Sequence, residues 1–412
     1  MIKVLTTFLS SLCIGIALGQ NLQKEFPESF EVWVTNPLNA PQENAMILIP
    51  VPSNSGFNEK GFVVMDRSTE VPSQFSSGDD AGIVVVLGSM AAKEKRSLAV
   101  RYKKSGVPLR NYPKRTQAEL SHKVGGSWKD REYIGGEFKN VDYLRVPPEH
   151  KDHSWFIRYE GPGWESDKVG YRFYLDQRNA TDAFGKVTPD VSLQLTGLDG
   201  FDSYHNMQPW GMDILKVGKS LGVGTIGSLV NGAAVRVEKT DSVDCRITEN
   251  GPVYSSVLTN YFGWKVGERK YKLQSYLSIH AGSRLTHERI SMNESPENIC
   301  TGLVKDVKAK LFTSDGDKDH FGYIATYGTQ SLNSDDLGIA VLFKSTDRIA
   351  FTEDKESQIV TLKPSQNRVE YYFLAAWSKE PNGIKDQNQF LKYLGATAAE
   401  LANPVRVEVT KK

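Results

Sequence analysis

The chain holds 412 residues, with 50 Lys plus Arg against 49 Asp plus Glu and a formal net charge of +1. That balance gives no field to steer nucleic acid, and 39% hydrophobic with 24% charged residues describe a folded chain rather than a disordered one. Thirty-five Gly, 18 Pro and 10% aromatic residues point to many turns and to β-structure, in a length that ordinarily makes two domains.

The chain starts with Met1-Ile2-Lys3 and an apolar stretch to Leu18, the charged-then-apolar order of a secretory leader. Ala17-Leu18-Gly19 supplies the small-x-small pattern for a cut ahead of Gln20, so residues 1–19 read as a signal peptide and the protein as exported and periplasmic. The apolar run is too short and too rich in Ser and Thr for a membrane span, and no later segment is apolar enough for one. Residues 30–34, 45–51, 61–65, 82–87 and 97–102 alternate or run apolar between turn residues, which predicts a small β-sandwich over 22–105. Residues 106–150 are irregular, basic and Pro-containing, and read as a crossover. From Trp155 onward period-2 strands resume and predict a large antiparallel β-sandwich over 151–412, with one helix at 385–402 carried by Leu391, Leu394, Ala398 and Leu401.

After cleavage only Cys245 and Cys300 remain, available for one disulfide or free and buried. No CxxC, HExxH, P-loop or GxGxxG motif in strand–helix context occurs, so the sequence requires no metal or cofactor. A divalent cation stays open only through the loop carboxylates Glu165 and Asp167.

Three clusters carry candidate chemistry. Residues 197–218 place Tyr204, His205, Trp210, Asp213 and Lys216 among glycines with no sustained period, which predicts a long functional loop or, more blandly, a loop packed on the sheet. In the second, Tyr171, Phe173 and Leu175 share one strand face, and Arg172, Tyr174 and Asp176 the other; Arg158 lies upstream. If that second face lines a cleft, Arg172 offers a planar fork for a carboxylate or sulfate; if it faces water, it is an ordinary surface pair. The third is a hairpin read with a three-residue turn, Ala281-Gly282-Ser283, which sets Leu277 opposite His287. His287 and Arg289 then join the apolar face of Leu273, Leu277 and Ile279, either as core residues or as a cleft floor.

The runs Gly163–Val169, Tyr171–Asp176, Tyr204-His205 with Trp210–Asp213 and Lys216, Ile279–Thr286 and Tyr372–Trp377 resemble a secreted bacterial family long labelled a domain of unknown function and found beside polysaccharide-degrading enzymes. One characterised type in that family is an ulvan-oligosaccharide dehydratase. The resemblance implies removal of water from a terminal uronic acid linked to sulfated rhamnose, giving a 4,5-unsaturated uronate, alongside other glycan-degrading enzymes. It also fits an all-β fold whose large sandwich is of the curved, galactose-mutarotase-like kind. It brings no catalytic residues with it.

The chemistry needs a base at C5, an acid at the 4-oxygen and a cation on the carboxylate. The candidates are His205 or Lys216 as base, Tyr204 as acid, Arg172 or Arg289 on the carboxylate, and Arg158, Trp210 and His287 as further substrate contacts. A polysaccharide lyase uses nearly the same machinery. A glycoside hydrolase would use Glu165 and Asp167, and a glycan-binding protein would stack sugars on Trp155, Trp164, Trp210 and Trp264.

Overall fold

The computed structural model describes residues 22–53, 55–78, 81–106 and 110–410; the expected leader, residues 1–19, lies outside them. The fold is mostly β, as expected. It divides into two compact units, one running to Pro113 and resuming at Pro404, the other Lys114–Asn403.

In the first unit a five-stranded sheet has the order Arg406–Thr410, Glu28–Thr35, Lys95–Tyr102, Phe62–Asp66, Thr69–Val71, and a three-stranded sheet pairs Met46–Ile49, Gly82–Val86 and Ser73–Ser76. The alternation Phe30, Val32, Val34 points one face inward, onto Ile47, Ile49, Ile83 and Val85 of the smaller sheet. The last strand pairs antiparallel with Glu28–Thr35, Val32 opposite Val409. This tail, expected in the larger sandwich of 151–412, belongs to the first unit, because a short alternating strand does not reveal a partner at the other end of the chain.

In the second unit a nine-stranded antiparallel sheet runs from Tyr143–Arg145 at one edge to Ala309–Ser314 at the other. Its inner face shares one core with two five-stranded sheets, through Val257, Leu277, Ile290, Val341 and Phe373 on one side and Trp164, Tyr171, Ile299 and Val360 on the other. The helix Gln387–Ala402 covers the outer face, setting Phe390, Leu394 and Ala398 on Ala340, Leu342 and Leu374. Asp386 caps it by accepting from the Gln389 N–H at 2.9 Å. Gly338 is required beneath it, since a Cβ there would stand 2.5 Å from the Phe390 ring. The segment read as an irregular crossover is itself largely β: Thr116–Glu119 is an edge strand of a five-stranded sheet, and Ser121–Val124 with Glu137–Asn140 and Ser127–Lys129 with Glu132–Ile134 form short ribbons. Cys245 and Cys300 are buried and free. No helix among the described residues is long and apolar enough to cross a membrane.

The third candidate hairpin is corrected by one residue. Ile279 pairs with Thr286 and Leu277 with Glu288, because the connection from His280 to Thr286 is longer than a three-residue turn. The slip moves His287 and Arg289 off the apolar face. His287 stacks on Tyr372 at 4.1 Å and lies 3.5 Å from Glu370, while Arg289 sits over the Tyr276 ring at 4.5 Å. Glu288 takes the buried place, its carboxylate accepting from Ser275 Oγ at 2.8 and 3.0 Å.

Burial pushes the Glu288 carboxyl up to about 8 from an ordinary 4.5. Between those values the folded protein holds a proton that the unfolded chain releases, so this group's contribution is fully present below 4.5 and is lost as pH rises toward 8. In thermal melts, Glu288→Gln is expected to gain on the parent steadily as the pH is raised through that window. A difference in Tm independent of pH would contradict the assignment.

Candidate active site

The sheet Thr116–Glu119, Gly163–Ser166, Val169–Phe173, Thr181–Lys186, Gly211–Asp213 is buried on both faces. Period 2 sorts its residues. Ala118, Trp164, Tyr171, Phe173, Ala183 and Met212 enter the core, while Glu119, Glu165, Arg172, Asp182, Lys186 and Asp213 project to the other face. Each buried charge on that second face has a partner. Lys186 Nζ donates to Glu165 Oε2 at 2.6 Å, Arg158 binds Glu119, and Arg172 Nη2 donates to Asp182 Oδ2 at 2.8 Å and Asp213 Oδ2 at 2.6 Å.

Arg172 is the hub. Its Nη1 donates to the Tyr204 hydroxyl at 2.9 Å and lies 3.7 Å from Glu160 Oε2, and its guanidinium sits over the rings of Tyr174, Phe184 and Tyr204. Burial and the neighbouring Asp182 push the Asp213 carboxyl well above the usual carboxylate range. Arg178 forms a second node, with Nη1 on Asp152 at 2.8 Å and Nη2 on Glu160 at 2.7 Å and Asp176 at 2.5 Å. Glu160 joins the two nodes.

Two imidazoles stand above this network. His205 Nε2 is 3.5 Å from Asp213 Oδ2 with its side chain 42% exposed, and His153 Nδ1 is 2.5 Å from Asp152 Oδ1 with its side chain 56% exposed. They bracket Phe201: the His153 ring meets its edge at 4.9 Å, and His205 hydrogen-bonds to its backbone. Desolvation, then the positive charge of Arg172, hold His205 below the ordinary 6.5, so it is neutral at pH 7. Trp155 lies half-buried against Phe201 at 4.8 Å, with Lys123 Nζ 5.1 Å from the centroid of the Trp155 ring. Gly200, at φ +124°, lets the loop approach Trp155, since a Cβ there would fall 2.3 Å from the indole. Left-handed backbone also gathers at non-glycine residues here: His153, Trp155, Tyr159, Glu160 and Asn179 all have φ between +36° and +71°. Strain held in one segment by surrounding contacts is the pattern of a functional site.

The structure brings Arg172, Tyr204 and His205 together and leaves other candidates apart. Tyr204 is 1% exposed with its hydroxyl on Arg172, so it positions the guanidinium and is out of reach as a direct acid. Arg172 and Arg158 are likewise committed to internal carboxylates and free for no ligand. Lys216 is exposed, and no hydrogen bond or ion pair ties it to the cluster among the described residues. Trp210 is buried edge-on to Phe184, and Trp164 and Trp264 are fully buried, so of the four indoles read as sugar platforms only Trp155 is available. His287 and Arg289 belong to the nine-stranded sheet, where His287 packs on Tyr372 and Arg289 over Tyr276. Glu165 takes Lys186 and the N–H groups of Ser192 and Leu193, and Asp167 takes Arg115 and the Gly282 N–H, which removes both as a loop cation site.

Sequence reasoning missed Asp152, His153, Glu160, Arg178 and Asp182. Ligand atoms of Asp152, His153 and Glu160 lie within 4.8 Å of one another, a set a divalent cation would use, but Arg178 already bridges both carboxylates.

Residues 34–407 match the family named Domain of unknown function (DUF4861), and the chain belongs to that family. Among solved structures it is similar to an α-mannosidase from Enterococcus faecalis V583, with TM-score 0.48, 9% identity, and coverage of 93% of this chain and 46% of that one. It is also similar to a protein in glycosyl hydrolase family 38 from Enterococcus faecalis, with TM-score 0.44, 8% identity, and coverage of 93% and 47%. The chain thus spans about half the length of these structures. No curated protein matches it.

Replacing Arg172 by Met leaves Asp182 and Asp213 facing each other without a cation. The expected loss is on the order of 3–5 kcal/mol in denaturant unfolding, because a lone buried charge is uncompensated. A loss below about 1 kcal/mol would show that the network does not hold this face together.

Proposed function

We propose that this chain is a carbohydrate-active enzyme of the exported, periplasmic kind. In this reading it eliminates water from the uronic acid at the non-reducing end of an ulvan-type oligosaccharide and leaves a 4,5-unsaturated uronate. The observation that carries it is the pair of exposed imidazoles, His153 and His205, on either side of Phe201 above buried guanidinium–carboxylate nodes. The sequence resemblance supports the substrate class.

Elimination takes the proton from C5, forms the C4–C5 double bond, and expels the 4-hydroxyl as water. His205, neutral through burial and the charge on Arg172, takes the C5 proton. His153, hydrogen-bonded to Asp152, gives a proton to the departing 4-oxygen. Arg178 receives the substrate carboxylate and so stabilises the charge that develops on it. Of its three carboxylate partners, Asp152 is 36% exposed where Glu160 and Asp176 are 5% and 0%, so Asp152 is the one that the incoming carboxylate displaces. Trp155 offers its half-buried face to the sugar ring.

A hydrolytic reading draws on the same residues. Asp152, Glu160, Asp176, Asp182 and Asp213 outnumber Arg172 and Arg178, a field that suits a cationic transition state. Product masses separate the two. On saturated uronate-capped oligosaccharides, dehydration is expected to lower the mass by one water with a new ultraviolet absorbance, whereas shortened chains would mean hydrolysis or lyase cleavage.

His205→Ala is expected to lower kcat by about 10²–10⁴-fold. Because the base acts only when neutral, activity falls as pH drops through the pKa of His205, and this acid limb is expected below the ordinary 6.5. Unchanged turnover in His205→Ala would remove it as base, and a limb above 6.5 would contradict its environment.

A further inference from the structure

The segment that carries His153 and Trp155 belongs to no regular strand, yet its main chain is held at every second residue. The carbonyls of Asp152, Ser154 and Phe156 all accept hydrogen bonds, and all three donors come from one element. Arg131 Nη2 donates to the Asp152 carbonyl at 2.9 Å, the Tyr133 N–H to that of Ser154 at 2.8 Å and the Lys123 N–H to that of Phe156 at 2.8 Å.

That element is an arm, residues 121–140, made of two ribbons in series. Ser121–Val124 pairs with Glu137–Asn140 at its base, and Ser127–Lys129 with Glu132–Ile134 at its tip. Gly125-Gly126 on one strand and Gly135-Gly136 on the other separate the two ribbons. Gly136 is required there, at φ +76°, because a Cβ would stand 2.7 Å from the Val124 carbonyl oxygen. The tip is seated by Trp128 and Tyr133, whose rings lie 5.2 and 5.1 Å from that of Phe156.

The segment is thereby sorted by parity. Phe156 and Ser154 are buried, with Ser154 Oγ 2.8 Å from His150 Nδ1, while His153 and Trp155 meet Phe201 at 4.9 and 4.8 Å. His153 and Trp155 both have left-handed backbone, at φ +58° and +61°. Bulky residues keep that conformation only where the surroundings impose it, and three bonds from one arm within five residues impose it here. Two of the three are between main chains. The third comes from Arg131, which is exposed and forms no ion pair among the described residues.

We propose that the arm is a clasp that positions the proton donor of the bracket, and that Arg131 is its latch. Arg131 is a positioning residue: it acts through the main chain of Asp152 and His153 and touches no substrate. Held at its carbonyl, Asp152 can turn its carboxylate away from Arg178 while His153 stays beside Phe201. The kinetic consequence rests on reading His153 as the donor in the proposed elimination, whereas the grip of the arm on residues 152–156 does not.

The test uses the full chain with Arg131→Ala and with Arg131→Lys, which keeps a donor at the latch. Position 131 is exposed, so both variants are expected to melt as the parent does. On a saturated uronate-capped oligosaccharide, Arg131→Ala is expected to lower kcat about tenfold with KM little changed, and Arg131→Lys to recover most of the loss. Hydrogen exchange without substrate is expected to quicken in Arg131→Ala for peptides covering 127–134 and 150–157, and to return toward the parent in Arg131→Lys. A parental kcat in Arg131→Ala would overturn the positioning role, and unchanged exchange in both peptides would overturn the clasp. If the parent does not turn over the oligosaccharide, the proposed reaction fails, and the exchange measurement alone still decides whether the arm grips the segment.

Discussion

One buried guanidinium organises the polar face of the larger unit's Thr116–Asp213 sheet. Arg172 lies at the centre of a sheet with both sides covered, where an unpaired charge would be prohibitively costly. Asp182 meets it from the adjoining strand, Asp213 from the strand beyond, Tyr204 from the overlying loop and Glu160 from the strained turn. Each partner belongs to a different segment, so satisfying one cation fixes four pieces of backbone at once. The exposed imidazoles inherit their positions from that arrangement. His205 leans on Asp213, and His153 reaches Glu160 at 3.9 Å through the same acid that faces Arg172. A network of this sort contributes little net stability compared with an apolar core, and its use is in holding polar groups to one geometry.

Much of this was legible in the chain, and the failures have identifiable causes. The split of Tyr171, Phe173 and Leu175 from Arg172, Tyr174 and Asp176 follows from strand periodicity alone, and the core takes the first set while Arg172 meets Tyr174 on the other. The 197–218 loop stood out by composition, and its Tyr204 and His205 do reach the Arg172 network. Asp182 was hidden because Thr181–Lys186 is buried on both faces and shows no alternation. Its pairing with Arg172 would have followed from a hairpin turning at 176–179, where Arg178 N–H donates to Asp176 Oδ1 in a local turn. His153 and Glu160 carry no periodic signal at all, since their left-handed backbone is set by contacts distant in sequence. The His287 hairpin shows the opposite error: a clear pattern, but a turn length misjudged by one residue, which exchanges every inward side chain for its neighbour.

Electrostatics constrain what the bracket can accept. Five carboxylates around two guanidiniums would repel an anionic sugar, were it not that Asp152 sits where solvent or substrate can replace it at Arg178. In the proposed reaction an arriving carboxylate would exchange with Asp152 rather than add to the negative charge. That exchange would release Asp152 toward His153 and couple binding of the acid group to the proposed proton donor. The same exposure explains why the internal acids Asp176 and Glu160 stay in place: their bonds to Arg178 are closed to water.

The central claim is that the space between His153 and His205 receives a uronate end. A crystal structure of His205→Gln soaked with a saturated uronate-capped oligosaccharide addresses it most directly. The account predicts the terminal ring beside Trp155, its carboxylate on Arg178 with Asp152 turned away, C5 facing position 205 and the 4-hydroxyl within about 3.2 Å of His153. A sugar ordered elsewhere on the protein, with Arg178 still closed on Asp152, would contradict it.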